Sequence, residues 1–140
     1  MTSLDDCRLI ELPRIPRPEG ALTPIEGGRD IPFDIARVYY LYDIPAGVER
    51  GGHAHRQLEQ LFVSVMGAFT VILRDGRRSD SFELNRGHTG LFVPRLIWRE
   101  IINFSTGSVC VVLASARYDE ADYVRSWDEF LVLRGAADGG

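Results

Sequence analysis

The chain has 140 residues, enough for one domain with a core of its own, and its 45% hydrophobic content excludes a disordered protein. A formal net charge of -4 gives no global attraction to nucleic acid or to a membrane surface. No apolar run is long enough to span a bilayer, and the acidic start Met1-Thr2-Ser3-Leu4-Asp5-Asp6 lacks the basic and apolar regions of a secretory signal. Cys7 and Cys110 make no disulfide framework. They are expected as buried packing residues, and a cytoplasmic location is expected. All 16 basic residues are arginine, which excludes Schiff-base lysine chemistry and a lysine-anchored pyridoxal phosphate. Arginine favours bidentate contact with phosphate and carboxylate, so the surface chemistry leans towards an anionic small molecule.

Glycine and proline punctuate the chain often and apolar runs are short, which is an all-β pattern. Residues 7–12 read as a first strand. Pro13, Pro16 and Pro18 then force an extended, non-helical link. Residues 21–25 form a short strand that Gly27-Gly28 ends. Residues 36–43 (ARVYYLYD) are rich in β-branched and aromatic side chains, and period-two alternation puts Arg37 and Tyr39 on one face. Pro45-Ala46-Gly47 turns the chain into a strand over 48–55. Strands over 59–65 and 68–74 flank a tight turn at Met66-Gly67. Asp75-Gly76 marks a hairpin to residues 78–84, with Arg77 and Arg78 expected in solvent. Gly87 and Gly90 bracket a turn into residues 91–93 and place His88 at the surface. Residues 98–104 and 109–116 are the last strong strands. Residues 119–130 are acidic and aromatic and read as helical, with Asp119, Glu120 and Asp122 exposed. The domain is expected over residues 1–134, with 135–140 as a flexible tail. About ten short strands without a periodic helix predict a sandwich or jelly-roll barrel, single-domain, with a ligand between its sheets.

The most informative motif is His53-Ala54-His55 followed by Glu59, with Gly47 ahead and Gly67 behind, a G-x5-H-x-H-x3-E-x7-G spacing. On a strand, His-x-His turns both imidazoles to one face. The pattern resembles the first half of the cupin metal motif, with its last glycine displaced by one residue. In the second half, cupins place a histidine five residues after a proline and four before an asparagine. Pro94 and Asn103 stand at those places here, and the residue between them is Arg99. A guanidinium cannot be deprotonated and cannot ligate a metal. The scaffold of a metal site with its last ligand replaced by a cation points to histidine acid–base chemistry.

The segments Arg37-Val38-Tyr39-Tyr40, Arg50-Gly51-Gly52-His53-Ala54-His55, Leu58-Glu59-Gln60 and Tyr118-Asp119-Glu120-Ala121-Asp122-Tyr123 occur in one order and spacing. Together they resemble the nucleotide-sugar 3,4-ketoisomerases, also described as WxcM-like, over about residues 22–130. The resemblance implies a cupin jelly-roll barrel (a double-stranded β-helix) and a homodimer, often with exchanged N-terminal strands. It implies action on dTDP-4-dehydro-6-deoxyglucose, on routes to 3-amino-3,6-dideoxyhexoses, with no metal and no other cofactor. It also implies His53 as the principal base at carbon. His55 would shuttle the oxygen proton or orient the sugar, and Tyr39 would hydrogen-bond the developing enediolate. Arg99 would add a positive charge to that oxyanion, and Arg37 and Arg50 are candidates for the diphosphate. Trp98 or a tyrosine would stack on thymine, and Glu59 would hold a histidine or the sugar. Two positions depart from the family pattern. Gly52 stands where relatives often carry a bulky residue, and Arg99 stands where many have histidine. Arg99 resembles the branch that yields the 3-dehydro-glucose product rather than the galactose epimer. Glu19 lies near a family position expected to face the sugar.

Three alternatives stay open on the residues alone. His53, His55 and Glu59 make a valid three-ligand metal set. A non-catalytic sugar-nucleotide-binding cupin would need the same pocket. A 3,5-epimerase would use a histidine base on the same fold and substrate.

Overall fold

The computed structural model describes residues 1–137. In chain order the strands are β1 (Arg8–Glu11), β2 (Ile15–Arg17), β3 (Gly20–Leu22), β4 (Arg37–Leu41), β5 (Arg50–His55) and β6 (Gln60–Met66). They continue with β7 (Phe69–Arg74), β8 (Ser79–Leu84), β9 (Thr89–Val93), β10 (Trp98–Ile102), β11 (Val109–Ala114) and β12 (Tyr123–Val124). Helix α1 (Trp127–Ala137) ends the described chain.

Two five-stranded antiparallel sheets face each other, in the orders β1-β9-β6-β11-β4 and β12-β5-β10-β7-β8. Strands distant in sequence alternate between the sheets, which is the winding of a cupin jelly roll. Period-two alternation fills the space between them. Phe69, Val71 and Leu73 of β7 face inward against Phe62 of β6, Leu91 of β9, Ile101 of β10 and Val112 of β11. The outer face of the first sheet, at Leu61 and Val63, is covered by Ile31 and Phe33 from the loop before β4. The outer face of the second sheet, at Ala54, Trp98 and Val124, is covered by Phe130 of α1. Both cysteines are buried. Burial pushes each thiol up to about 12, so neither is a nucleophile at neutral pH.

The motif glycines have a backbone reason. Gly47 and Gly67 hold φ of +79° and +70°, a region that side chains with a Cβ rarely enter. A Cβ on Gly67 would also sit 2.4 Å from Ser105 Oγ. Asn103, of the second half-motif, is left-handed too, with φ of +56°.

Two expectations differ from what is seen. The proline-rich link contains strand β2, paired with β3 as an exposed hairpin whose tip carries Glu19. Residues 119–130 are not one helix. They form a 3-10 turn over Glu120–Asp122, then β12, and only from Trp127 an α-helix. That helix continues through Gly135 to Ala137, so the first three residues of the expected tail are helical. Residues 138–140 lie outside the described residues.

Candidate active site

The cavity is set by strand pairing. His53 of β5 lies directly opposite Arg99 of β10. Arg37, Tyr39 and Leu41 of β4 share the inward face, while Val38 and Tyr40 point to solvent. β12 pairs with the end of β5, so that Tyr123 stands opposite His55. Together these elements line a cavity of about 520 Å³ at the mouth of the barrel. Its walls include His53, Tyr39, Tyr118, Tyr123 and the guanidinium-bearing residues Arg37, Arg50, Arg99 and Arg125, and among the described residues no carboxylate lines it. A chain that is acidic overall thus concentrates positive charge in one concave place, the electrostatics of an anion site.

Arg99 is 3% exposed and crosses the barrel interior from the second sheet to the first. Its Nε donates to Gln60 Oε1 (2.8 Å) and its Nη2 to the Tyr39 hydroxyl (3.0 Å). Gln60 Nε2 donates to that same hydroxyl (2.8 Å). The Phe62 ring lies beneath the guanidinium, 4.9 Å from its carbon.

His53 carries a buried Nε2 that no described residue hydrogen-bonds. Burial lowers its pKa to about 2, aided by the Arg99 charge and by His55 and Arg125. His55 is 4% exposed and does not line the cavity. Burial and then the Arg99 charge lower its pKa, against the opposing Asp122 carboxylate, to about 4. The Asp122 carboxylate lies 3.3 Å from His55 Nδ1 and accepts the amides of Gln57 (2.8 Å) and Leu58 (3.2 Å). The rings of His53, His55 and Tyr123 form one cluster, with centroids 4.4–5.0 Å apart. Leu96 N donates to His55 O (2.7 Å), which pins the end of β5.

Both imidazoles are therefore neutral at pH 7, and protonating them opposes folding. Their folded pKa lies below the unfolded value of ~6.5, so this stability is fully present above that pH. It is lost as pH falls through the window from ~6.5 towards about 4 for His55 and lower for His53. Thermal melts are expected to be flat from pH 8 to 7 and to fall between pH 6.5 and 4.5. His53→Asn should make that fall shallower. An equally steep fall in the variant would show that other groups control it.

Glu59, expected at the site, does not line the cavity. It precedes β6, its backbone pairs with Ser115, and the side chain that enters the interior is its neighbour Gln60. Placing the motif position at Gln60 also removes the one-residue displacement of Gly67. That mismatch was the available signal for Gln60. Trp98 is packed against Trp127 and Phe130 outside the cavity, so the aromatic walls are tyrosines. Gly52 borders the cavity, and a Cβ there would meet Trp98 and Glu100 only at 3.9 Å. Asp122, expected to be exposed, stands beside His55, and Tyr118, Tyr123 and Arg125 line the cavity. Tyr118 and Arg125 are joined through Glu120, which hydrogen-bonds both, and Arg125 lies over the Tyr123 ring at 4.3 Å.

The donor set does not fit a metal. Among the described residues no three His, Cys, Asp or Glu side chains come together to hold one. At the place of the remaining ligand stands a guanidinium, which repels a divalent cation. Among the described residues no helix is long and apolar enough to cross a membrane.

Fold and site together define a cupin barrel with a neutral histidine facing an arginine–tyrosine pair in a cationic pocket. The chain belongs to the family described as "FdtA: WxcM-like, C-terminal", which matches residues 5–135. It is 42% identical over 123 residues, 88% of each chain, to the TDP-4-oxo-6-deoxy-alpha-D-glucose-3,4-oxoisomerase of Aneurinibacillus thermoaerophilus. The 3,4-ketoisomerase QdtA from Thermoanaerobacterium thermosaccharolyticum, a histidine-to-asparagine mutant in complex with TDP-4-keto-6-deoxyglucose, superposes with a TM-score of 0.93 at 38% identity. That match covers 96% of this chain and 97% of the other. The TDP-quinovose 3,4-ketoisomerase WlaRB of Campylobacter jejuni gives a TM-score of 0.87 at 41% identity, over 91% and 98% of the two chains.

Proposed function

We propose that this protein is a TDP-sugar 3,4-ketoisomerase acting on TDP-4-oxo-6-deoxyglucose by histidine-mediated proton transfer without a metal. The observation that carries it is the neutral His53, whose Nε2 no described residue hydrogen-bonds, set opposite Arg99 and Tyr39 in a cavity that no carboxylate lines among the described residues. Likeness to relatives named for this reaction supports the substrate.

The substrate's 4-ketone acidifies the proton on C3. His53, deprotonated at neutral pH, takes that proton, and its electron pair moves to the C3–C4 bond while the carbonyl pair moves to O4. The resulting enediolate sits opposite the Arg99 charge and within the reach of Tyr39, which stabilise negative charge as it develops. The O3 proton passes to O4, C4 takes a proton, and C3 becomes the ketone. Atoms and electrons balance with no redox partner. The diphosphate enters a ring of Arg37, Arg50 and Arg125 and offsets part of the positive field that depresses His53. Substrate binding therefore raises the basicity of His53 towards its working range. His55, buried behind His53, orients it and Tyr123 rather than touching sugar. Tyr118 and Tyr123 replace Trp98 as the stacking surface for thymine.

Arg99 and the 41% identity to the quinovose enzyme favour retention of the gluco configuration at C4. The product is then a 3-oxo sugar suited to amination in dideoxyamino-sugar biosynthesis. Incubation with TDP-4-oxo-6-deoxyglucose and isolation of the product tests both parts. A 3-oxo sugar with equatorial O4 is expected. An axial O4 would overturn the configuration, and unchanged substrate would overturn the activity.

The protein is also proposed to act as a homodimer. Edge strand β4 exposes Val38 (55%) and Tyr40 (60%), with Tyr42 (59%) just beyond it, and an isolated hairpin such as β2–β3 is marginal without a partner surface. Wild type should sediment as a dimer and the Val38→Asp/Tyr40→Asp double variant as a monomer. A monomeric wild type would end this assignment.

A further inference from the structure

We infer that Gln60 is a positioning residue that fixes the Tyr39 hydroxyl as a hydrogen-bond donor to the substrate, and this rests on the ketoisomerase reading. The chain of donors allows one arrangement. Arg99 has donors only, so the Gln60 atom that meets its Nε at 2.8 Å is the amide oxygen. The Gln60 amide nitrogen therefore faces Tyr39, and it donates at 2.8 Å. Arg99 Nη2 donates to the same phenolic oxygen at 3.0 Å. With two N–H donors on its oxygen, Tyr39 has spent its acceptor capacity and keeps one hydrogen to give. No described residue is seen to accept that hydrogen, and Tyr39 lines the cavity.

The amide is held hard in this role. Gln60 is 1% exposed, at the first position of β6, and both of its hydrogen-bonding ends are used. A polar side chain at that depth is costly unless every group is satisfied, and here each partner belongs to the reaction centre. A carboxylate of the same shape would accept from both neighbours. It would draw the Tyr39 proton to itself and leave no donor for the enediolate oxygen. A glutamate ligand is what the metal-binding version of this motif calls for, so glutamine suits a site in which that position instead donates.

Gln60→Glu tests this, assayed in chelator with TDP-4-oxo-6-deoxyglucose. At pH 8 kcat should fall by about 10²-fold, the effect of losing one oxyanion donor. KM should stay within about threefold, because the ground-state contacts remain. Lowering the pH should not restore the rate within the range where the fold is stable, because the Arg99 guanidinium beside the new carboxyl group keeps it ionised. In a Tyr39→Phe background the same change should cost no more than about threefold, because the two residues act as one unit. Full activity of Gln60→Glu at pH 8 would overturn the role. So would a loss that adds fully to that of Tyr39→Phe. A wild type inert on this substrate overturns the ketoisomerase reading and the role with it, whereas an active wild type with an unaffected variant overturns the role alone.

Discussion

Replacing His53 by asparagine is expected to lower kcat by roughly 10²–10⁴-fold, the range for loss of a positioned general base. Asparagine keeps the size and one hydrogen-bonding end of imidazole but cannot take a proton at neutral pH. The strand that carries the residue is fixed by pairing to β10 and β12, so the cavity should persist. TDP affinity, measured by calorimetry, should therefore stay within about threefold, since the diphosphate contacts come from arginines. Stability should rise slightly below pH 6.5, because a buried group that resists protonation has been removed. Turnover within tenfold of wild type would assign the base to another residue. The equivalent His55→Asn should act through geometry, with a smaller loss in kcat, because His55 does not line the cavity.

Arg99→Met is the second large effect. Its guanidinium is the buried positive charge facing His53, and it also holds Tyr39 and Gln60. Loss of oxyanion stabilisation should lower kcat by roughly 10²–10³-fold. Stability should not follow activity, since replacing a buried charge by an apolar side chain of similar length is often neutral or stabilising. The pH profile carries an independent signature. Arg99 is the second cause, after burial, that lowers His53. Removing that charge raises the histidine's pKa towards its ordinary value, so the acid limb of kcat/KM should move to higher pH. An unchanged limb, or a melting temperature that collapses with activity, would show that Arg99 is structural.

Much of the barrel was legible because its signals are local. Short β-branched runs separated by glycine and proline located ten of the twelve strands' neighbourhoods, and alternation alone put Arg37 and Tyr39 together on the inner face of β4. Strand β2 was not legible, because Pro13, Pro16 and Pro18 argue against a strand, yet an exposed two-stranded hairpin tolerates proline at its edge. Within the site, the His-x-His pair and Arg99 were visible from spacing. Their unequal depth was not, since one strand face does not say which histidine reaches the cavity. Gln60 was hidden by the acidic Glu59 beside it, and only the displaced Gly67 hinted at the shift. Tyr123 and Asp122 reach the histidines through a segment that pairs with β5 across more than sixty residues of chain, a contact that no local pattern encodes.

The central claim, a proton taken from C3 and one delivered to C4 by a metal-free histidine site, is tested most directly by isotope position. Chelator-treated wild type is given TDP-4-oxo-6-deoxyglucose in D2O and followed by proton NMR. Growth of a 3-oxo isomer that carries deuterium at C4, with loss of the C3 proton signal, is the predicted result. Deuterium entering only at C5, or a substrate that stays unchanged until a divalent metal is added, would contradict it.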